Sequence, residues 1–163
     1  MTNIIIRINL TGTYNTLMCC KPYLDRAEGV THAVVTSSVL ARFGVPGQSA
    51  YVTSKTGLLG LVRSLAVEWS PRGIMVNAIC PGWVDTEMAQ NSIQAMADAQ
   101  GISYDASKAQ QEDILPAGRI SKPEEIAQWV GFLFSGLGEG ETGPRVETLT
   151  GQAMDVNSGS WMG

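Results

Sequence analysis

Seven consecutive residues, Ile74-Met75-Val76-Asn77-Ala78-Ile79-Cys80, are apolar at every position but one. A strand with one face in water alternates apolar and polar residues. An unbroken apolar run belongs to a strand covered on both faces, as in a parallel sheet between helical layers. Pro81-Gly82 ends the run. The one polar member, Asn77, is expected to bond neighbouring backbone, because an unsatisfied buried amide is costly.

The flanking sequence supplies the layers. Apolar and small residues from Leu10 to Leu24 are spaced as in a helix, Gly29 breaks the pattern, and Ala33-Val34-Val35 reads as a short strand. Gly44, Pro46 and Gly47 mark a loop over 41–48, followed by a long helical pattern from Ser49 to Trp69 that Pro71 and Gly73 close. Residues 83–119 are more polar, with scattered Met88, Ile93 and Met96 but no long amphipathic stripe, and read as a mobile excursion of the kind that forms a substrate lid. Ser121 with Glu124, and Pro123 in the first turn, form a capping-box signature for a helix carrying Ile126, Val130 and Leu133, which the Gly136–Gly140 stretch stops. A last strand is expected over Gln152–Val156, with a turn at Asn157-Ser158-Gly159. Strand and helix alternate, which predicts an α/β layer architecture with right-handed crossovers. Three strands are few for such a sheet, where about 5 to 6 are usual.

The balance of charge narrows the partners. A net charge of −4 and a pI near 4.9 argue against nucleic acid or an anionic membrane, either of which selects a basic face. At 163 residues the chain suits one core and not two. Cys19, Cys20 and Cys80 show neither a disulfide framework nor zinc-site spacing and are expected to be reduced. Arg7 and Asn9 cut short the Ile4-Ile5-Ile6 run, and no apolar stretch nears the roughly eighteen residues of a membrane span. A soluble, cytoplasmic protein is the expectation. His32 suits a surface or turn, the tryptophans suit core or subunit contacts, and Asp105, Glu112 and Asp113 suit a solvated surface, so no metal site is expected.

Chemistry is concentrated on the long helix. Tyr51 and Lys55 are four apart, so both project from one face about a turn apart. A phenol is a poor acid or base near neutrality, with a reference pKa of ~10. A nearby ammonium and the positive end of a helix both favour its anion. Ser38 falls at the end of the Ala33–Ser37 strand, the rim where open α/β sheets place ligands, and its hydroxyl suits a carbonyl or alkoxide oxygen. Such a set moves one proton to or from an alcohol oxygen. The accompanying hydride requires a cofactor, since no side chain supplies one. Taken alone, the Tyr51–Lys55 pair reads as a packed aromatic and a solvated amine before it reads as a catalytic pair.

The wider pattern changes that weighting. Asn9-Leu10-Thr11-Gly12, Val35-Thr36-Ser37-Ser38, Tyr51 with Ser54-Lys55-Thr56-Gly57, Val76-Asn77-Ala78-Ile79-Cys80-Pro81-Gly82 and Thr150-Gly151-Gln152 follow one another in order. In these segments the chain resembles the short-chain dehydrogenases/reductases, from about Ile4 to Gly159. The resemblance implies a three-layer, Rossmann-like parallel sheet and an oxidoreductase that interconverts a secondary alcohol and a ketone with NAD or NADP. It implies Tyr51 as acid/base, Lys55 as its partner and a ligand of the nicotinamide ribose, Ser38 as the group orienting the substrate oxygen, and Asn9 as support for a water-linked proton relay. Pro81, Gly82, Val84 and Thr86 would line the nicotinamide. The helices of Leu10 and Tyr51 would form a subunit interface, giving a homo-oligomer.

One departure stands out. Members of that family begin with a Gly-rich strand-to-helix turn that receives the cofactor's diphosphate, and this sequence has none. Gly136–Gly143 is Gly-rich but follows a helix and precedes a strand. The expectation is therefore an N-terminally truncated, single incomplete Rossmann-like domain over 1–163, with 83–119 as its substrate lid and an apolar sheet edge laid open. The alternative function is a truncated, non-catalytic remnant or interaction module that binds no cofactor.

Overall fold

The apolar run is the middle strand of a three-stranded parallel sheet, seen in a computed structural model that describes residues 2–135 and 146–163. The strands are β1 (Thr31–Thr36), β2 (Ile74–Pro81) and β3 (Ala153–Val156), in the order β1-β2-β3. Thr36 lies opposite Ile79, and Ala78 opposite Ala153. Every residue from Ile74 to Cys80 is buried. Asn77 is satisfied as a buried amide should be: Nδ2 donates to the Leu149 carbonyl at 2.7 Å, and Oδ1 accepts from the Gln152 N–H at 3.1 Å.

Helices cover both faces. A helical run before β1 comprises α1 (Thr2–Ile6), a π-helical segment Arg7–Gly12 and α2 (Thr13–Leu24). Between β1 and β2 runs α3 (Ser49–Trp69). Alternate residues of the strands, Ala33, Val35, Ile74, Val76, Ala78 and Cys80, meet Leu58, Val62, Leu65 and Trp69 of α3, with Leu10, Leu17, Met18 and Leu24 packed alongside. On the opposite face α6 (Pro123–Ser135) brings Phe134 edge-on to His32, ring centroids 6.1 Å apart. Gly73, at φ 76°, makes the left-handed turn from the end of α3 into β2.

The structure differs from the sequence reading in four places. The first helix starts at Thr2 and not at Leu10; the β-branched Ile4–Ile6 run is a weak helix former by itself, and packing against α3 overrides that preference. Residues 83–119 contain two packed helices, α4 (Glu87–Gln100) and α5 (Tyr104–Asp113). Their stripe is built of Ala89, Ile93 and Ala97, all buried, and alanine carries little hydrophobic signal. Ser107 Oγ stitches the pair by donating to the Ile93 carbonyl at 3.1 Å. His32 lies within β1, half-buried, and burial pushes its imidazole below the ordinary range.

The fourth difference is the start of α6. Ser121 is held in a bridge with Val84, its N–H donating to Trp83 O and its carbonyl accepting from Asp85 N–H. Its hydroxyl pairs with Ser158 at 3.2 Å. The cap is therefore made one residue later, where Glu125 accepts from the Lys122 N–H at 2.7 Å. The Gly136–Gly140 stretch expected to stop α6 lies outside the described residues. No helix among them is long and apolar enough to cross a membrane.

Candidate active site

Parallel strands in register bring their carboxyl ends to one rim, and the first turns of α3 stand beside it. Lys55 Nζ donates to the carbonyl of Thr36, the last residue of β1, at 2.9 Å. Ser37 Oγ returns a bond to the Lys55 carbonyl at 2.8 Å. Two bonds in opposite senses thus staple the end of β1 to α3. One turn earlier, the Tyr51 ring lies under the ammonium, its centroid 5.5 Å from Nζ. Burial lowers the pKa of the Lys55 amine, and the nearby Cys80 thiol partly opposes that shift. Burial foremost, with Asp155 adding to it, raises the Cys80 thiol.

Ser38 is buried and opens a single 3-10 turn over Val39–Ala41. Its Oγ accepts the Leu40 N–H at 3.1 Å. With a lone pair engaged there, the hydroxyl keeps its proton for another acceptor. Thr56 Oγ1 donates to the Ala41 carbonyl at 3.3 Å, which seats the turn on α3.

Asn9 lies in the π-helical segment, a distortion that recurs at functional sites. Its Nδ2 donates to Ser54 Oγ at 3.1 Å, and Ser54 Oγ donates to the Tyr51 carbonyl at 2.7 Å. Asn9 thus reaches the tyrosine through Ser54, which is wholly buried. The Asn9 carbonyl accepts from Thr13 Oγ1 at 2.7 Å. The π segment also rests on Gly57, where a Cβ would stand 3.0 Å from Leu10 Cδ2.

The remaining expected residues extend from the end of β2. Pro81 and Gly82 lie at the same rim as Lys55, since Thr36 and Ile79 are paired. Gly82 has a reason within the chain: its N–H donates to Val156 O at 3.1 Å, and a Cβ would stand 2.9 Å from the Asn157 Cα and carbonyl oxygen. Val84 forms the bridge to Ser121. Thr86 is exposed and caps α4, accepting from the Ala89 N–H at 3.4 Å. Sequence reasoning gave no role to Ser37, Ser54 or Arg42. Ser54 carried a signal in its place three residues after Tyr51 on the helix, whereas the partner of Arg42 is 113 residues away.

As donors, a phenol and an ammonium at the strand rim fit the ribose end of a nicotinamide cofactor. Among the described residues no Gly-rich turn joins a strand to a helix N-terminus as a diphosphate requires. Grooves lined by Arg42, Leu59, Arg63 and Gly151, and by Ala66, Val67 and Thr150, lie along α3 and β3 and include neither Ser38 nor Tyr51. No cluster of metal-ligating side chains occurs among the described residues.

Comparison with known proteins adds four findings. A family profile described as enoyl-(acyl carrier protein) reductase matches residues 1–159. The 3-oxoacyl-[acyl-carrier-protein] reductase FabG of Thermotoga maritima is 32% identical over 155 residues, which are 95% of this chain and 55% of that protein. The ligand-free aldohexose dehydrogenase of Thermoplasma acidophilum superposes with a TM-score of 0.86 at 29% identity, over 98% of this chain and 58% of that one. The F189W actinorhodin polyketide ketoreductase with NADPH gives a TM-score of 0.78 at 31% identity, over 93% of this chain and 56% of that one. The chain spans about half the length of the curated relatives it matches.

Proposed function

The chain belongs to the short-chain dehydrogenase/reductase family, and from that premise we propose that it carries the catalytic half of an oxidoreductase interconverting a secondary alcohol and a ketone. The observation that carries this reading is the Tyr51–Lys55 pair held at the strand rim, with the ammonium bonded to Thr36 O and 5.5 Å from the phenol ring.

When bound, NAD(H) or NADP(H) supplies the hydride acceptor or donor; the NADPH of the related ketoreductase supports that choice of cofactor. Lys55 and Tyr51 would hold its nicotinamide ribose, and Pro81, Gly82, Val84 and Thr86 would line the nicotinamide site. In the reductive direction Ser38 donates its free proton to the substrate carbonyl oxygen and fixes its place. Tyr51 delivers a proton from Oη to that oxygen as the carbon gains hydride, and takes it back in oxidation. Lys55 places positive charge beside the phenol oxygen while the proton is away. Asn9 holds the π segment to the back of Tyr51 through Ser54 and supports proton return through water. The α4–α5 pair, over 83–119, closes on the substrate, a small alcohol or ketone. Ile4, Ile8 and Tyr14 lie exposed on the first helical run, which supports association with a second copy.

A second reading, a non-catalytic remnant or interaction module without cofactor binding, has in its support the exposed Ile4, Ile8 and Tyr14 of the first helical run. Titration with NADH and NADPH, followed by turnover of a ketone panel, separates the two. Catalysis predicts saturable binding, and a Tyr51→Phe variant that still binds, more weakly for the lost ribose contact, but turns over roughly 10²–10⁴-fold more slowly. Turnover that survived Tyr51→Phe would end the proposed mechanism, and a folded chain that binds neither cofactor would favour the remnant.

A further inference from the structure

The segment leaving Ser38 is fastened at its far end by Arg42. This guanidinium donates from Nε to Asp155 Oδ1 at 3.2 Å, and from Nη2 to Asp155 Oδ2 and to the Ala153 carbonyl, each at 3.0 Å. Its Cζ stands 4.9 Å from the centroid of the Trp161 ring. The side chains of Arg42 and Asp155 are 21% and 22% exposed, so the pair is partly shielded from water. A planar fork that meets a carboxylate, a carbonyl and an aromatic face together has little freedom of placement.

Each contact belongs to the C-terminal segment. Ala78 N–H donates to Gln152 O and Gly82 N–H to Val156 O, so the Ala153 carbonyl points away from β2, toward the open side of β3. Arg42 covers that edge. At the other end of its own turn, the Arg42 N–H donates to Val39 O and the Ala41 N–H to Ser38 O, each at 2.9 Å. The turn that begins at Ser38 is therefore pinned to α3 on one side and to β3 on the other.

We propose that Arg42 is a positioning residue, which sets Ser38 against Tyr51 by clamping the Ser38 turn to β3 and to Trp161. The catalytic part of this inference rests on the reading of Ser38 as the group that orients the substrate oxygen; the clamp itself does not. Arg42→Met removes the fork, and Asp155→Asn is a milder variant that keeps the shape and removes the charge.

Hydrogen exchange of the full chain tests the clamp. In both variants the Leu40 and Ala41 amides should exchange about tenfold faster or more, while Leu58 and Val62 of α3 stay within about twofold of the parent. Steady-state kinetics tests the consequence: kcat for ketone reduction should fall about tenfold, with the cofactor dissociation constant within about twofold. Arg42→Lys keeps the charge without the fork, and should restore melting temperature more fully than kcat. Unchanged exchange at Leu40 and Ala41 would overturn the clamp, and faster exchange with kcat intact would reduce Arg42 to a structural ion pair. A parent chain with no turnover would count against the oxidoreductase reading, while the exchange result would still decide the clamp.

Discussion

The helix α3, which carries Tyr51 and Lys55, and the helical run before β1 lie on the same face of the sheet and are covered very differently. α3 buries Ser54, Leu58, Leu59, Val62, Leu65, Ala66 and Trp69. α2 buries none, and Ile4, Ile8, Tyr14 and Tyr23 of the run stand exposed. Tyr51 and Lys55 thus stand on an element fixed by the core of the sheet. Asn9 has its place through two contacts with that element, Leu10 on Gly57 and Nδ2 on Ser54. The outer side of β1 has no strand partner among the described residues. The Tyr51–Lys55 part of the candidate site is therefore anchored from within, whereas Asn9 is anchored through it.

The largest effect expected from this difference is in the core. Trp69 is 1% exposed, and Trp69→Ala should destabilise the chain by about 3–5 kcal/mol, the range for deleting a large buried side chain. Leu17, half-buried on α2, should lose less than about half of that when changed to alanine. Urea denaturation of both variants checks the contrast. Equal losses would mean that the first run is as firmly held as α3.

An intermediate effect comes from one substitution made in two settings. At Gly82 the atoms that a new Cβ would meet at 2.9 Å are Asn157 backbone, which has little room to yield. Gly82→Ala should cost about 1–3 kcal/mol, the usual range for overpacking. At Gly60, on the outer side of α3, a Cβ meets nothing within 4 Å. Gly60→Ala should stabilise by about 0.5–1 kcal/mol through helix propensity and a less free unfolded chain. Thermal melts that moved the same way for both would show that coverage is more even than the geometry says.

What was legible in the sequence follows the same division. The apolar run Ile74–Cys80 and the pattern over Ser49–Trp69 were clear because burial dictates nearly every position of β2 and one whole face of α3. The four-residue step from Tyr51 to Lys55 then placed both on one face. The π-helical character of Arg7–Gly12 had no local signal, since weak helix formers such as Asn9, Thr11 and Gly12 do not say which kind of helix forms, and the distortion lies where the segment meets α3. The α4–α5 pair was hidden because alanines build much of its stripe. Arg42 and Asp155 could not be paired from spacing, as only the topology brings the turn after β1 to β3. Gly82 carried a cofactor reading in the motif, and the structure adds a packing reason that the motif does not contain.

The smallest effect expected is at the least covered fastening, the start of α6. Arg119 donates from Nη1 and Nη2 to the Glu125 carboxylate at 2.7 and 2.6 Å, and the Lys122 N–H joins at 2.7 Å. Arg119 first, and the Lys122 N–H second, hold the Glu125 carboxyl at about 2, below its ordinary 4.5. A folded value below the unfolded one means that folding favours the ionised form. Its contribution is present above pH 4.5 and is lost as pH falls from there toward 2. Access of solvent to both side chains, 54% exposed at Arg119 and 38% at Glu125, keeps the contribution small and open to screening. Glu125→Gln mimics the protonated acid, so it should melt slightly below the parent at pH 7 in low salt. The gap should close across that acid window, and shrink at pH 7 as salt is added. A gap that ignored both pH and salt would show that Glu125 acts through the shape of the cap, and that the start of α6 is held as the core is, without help from charge.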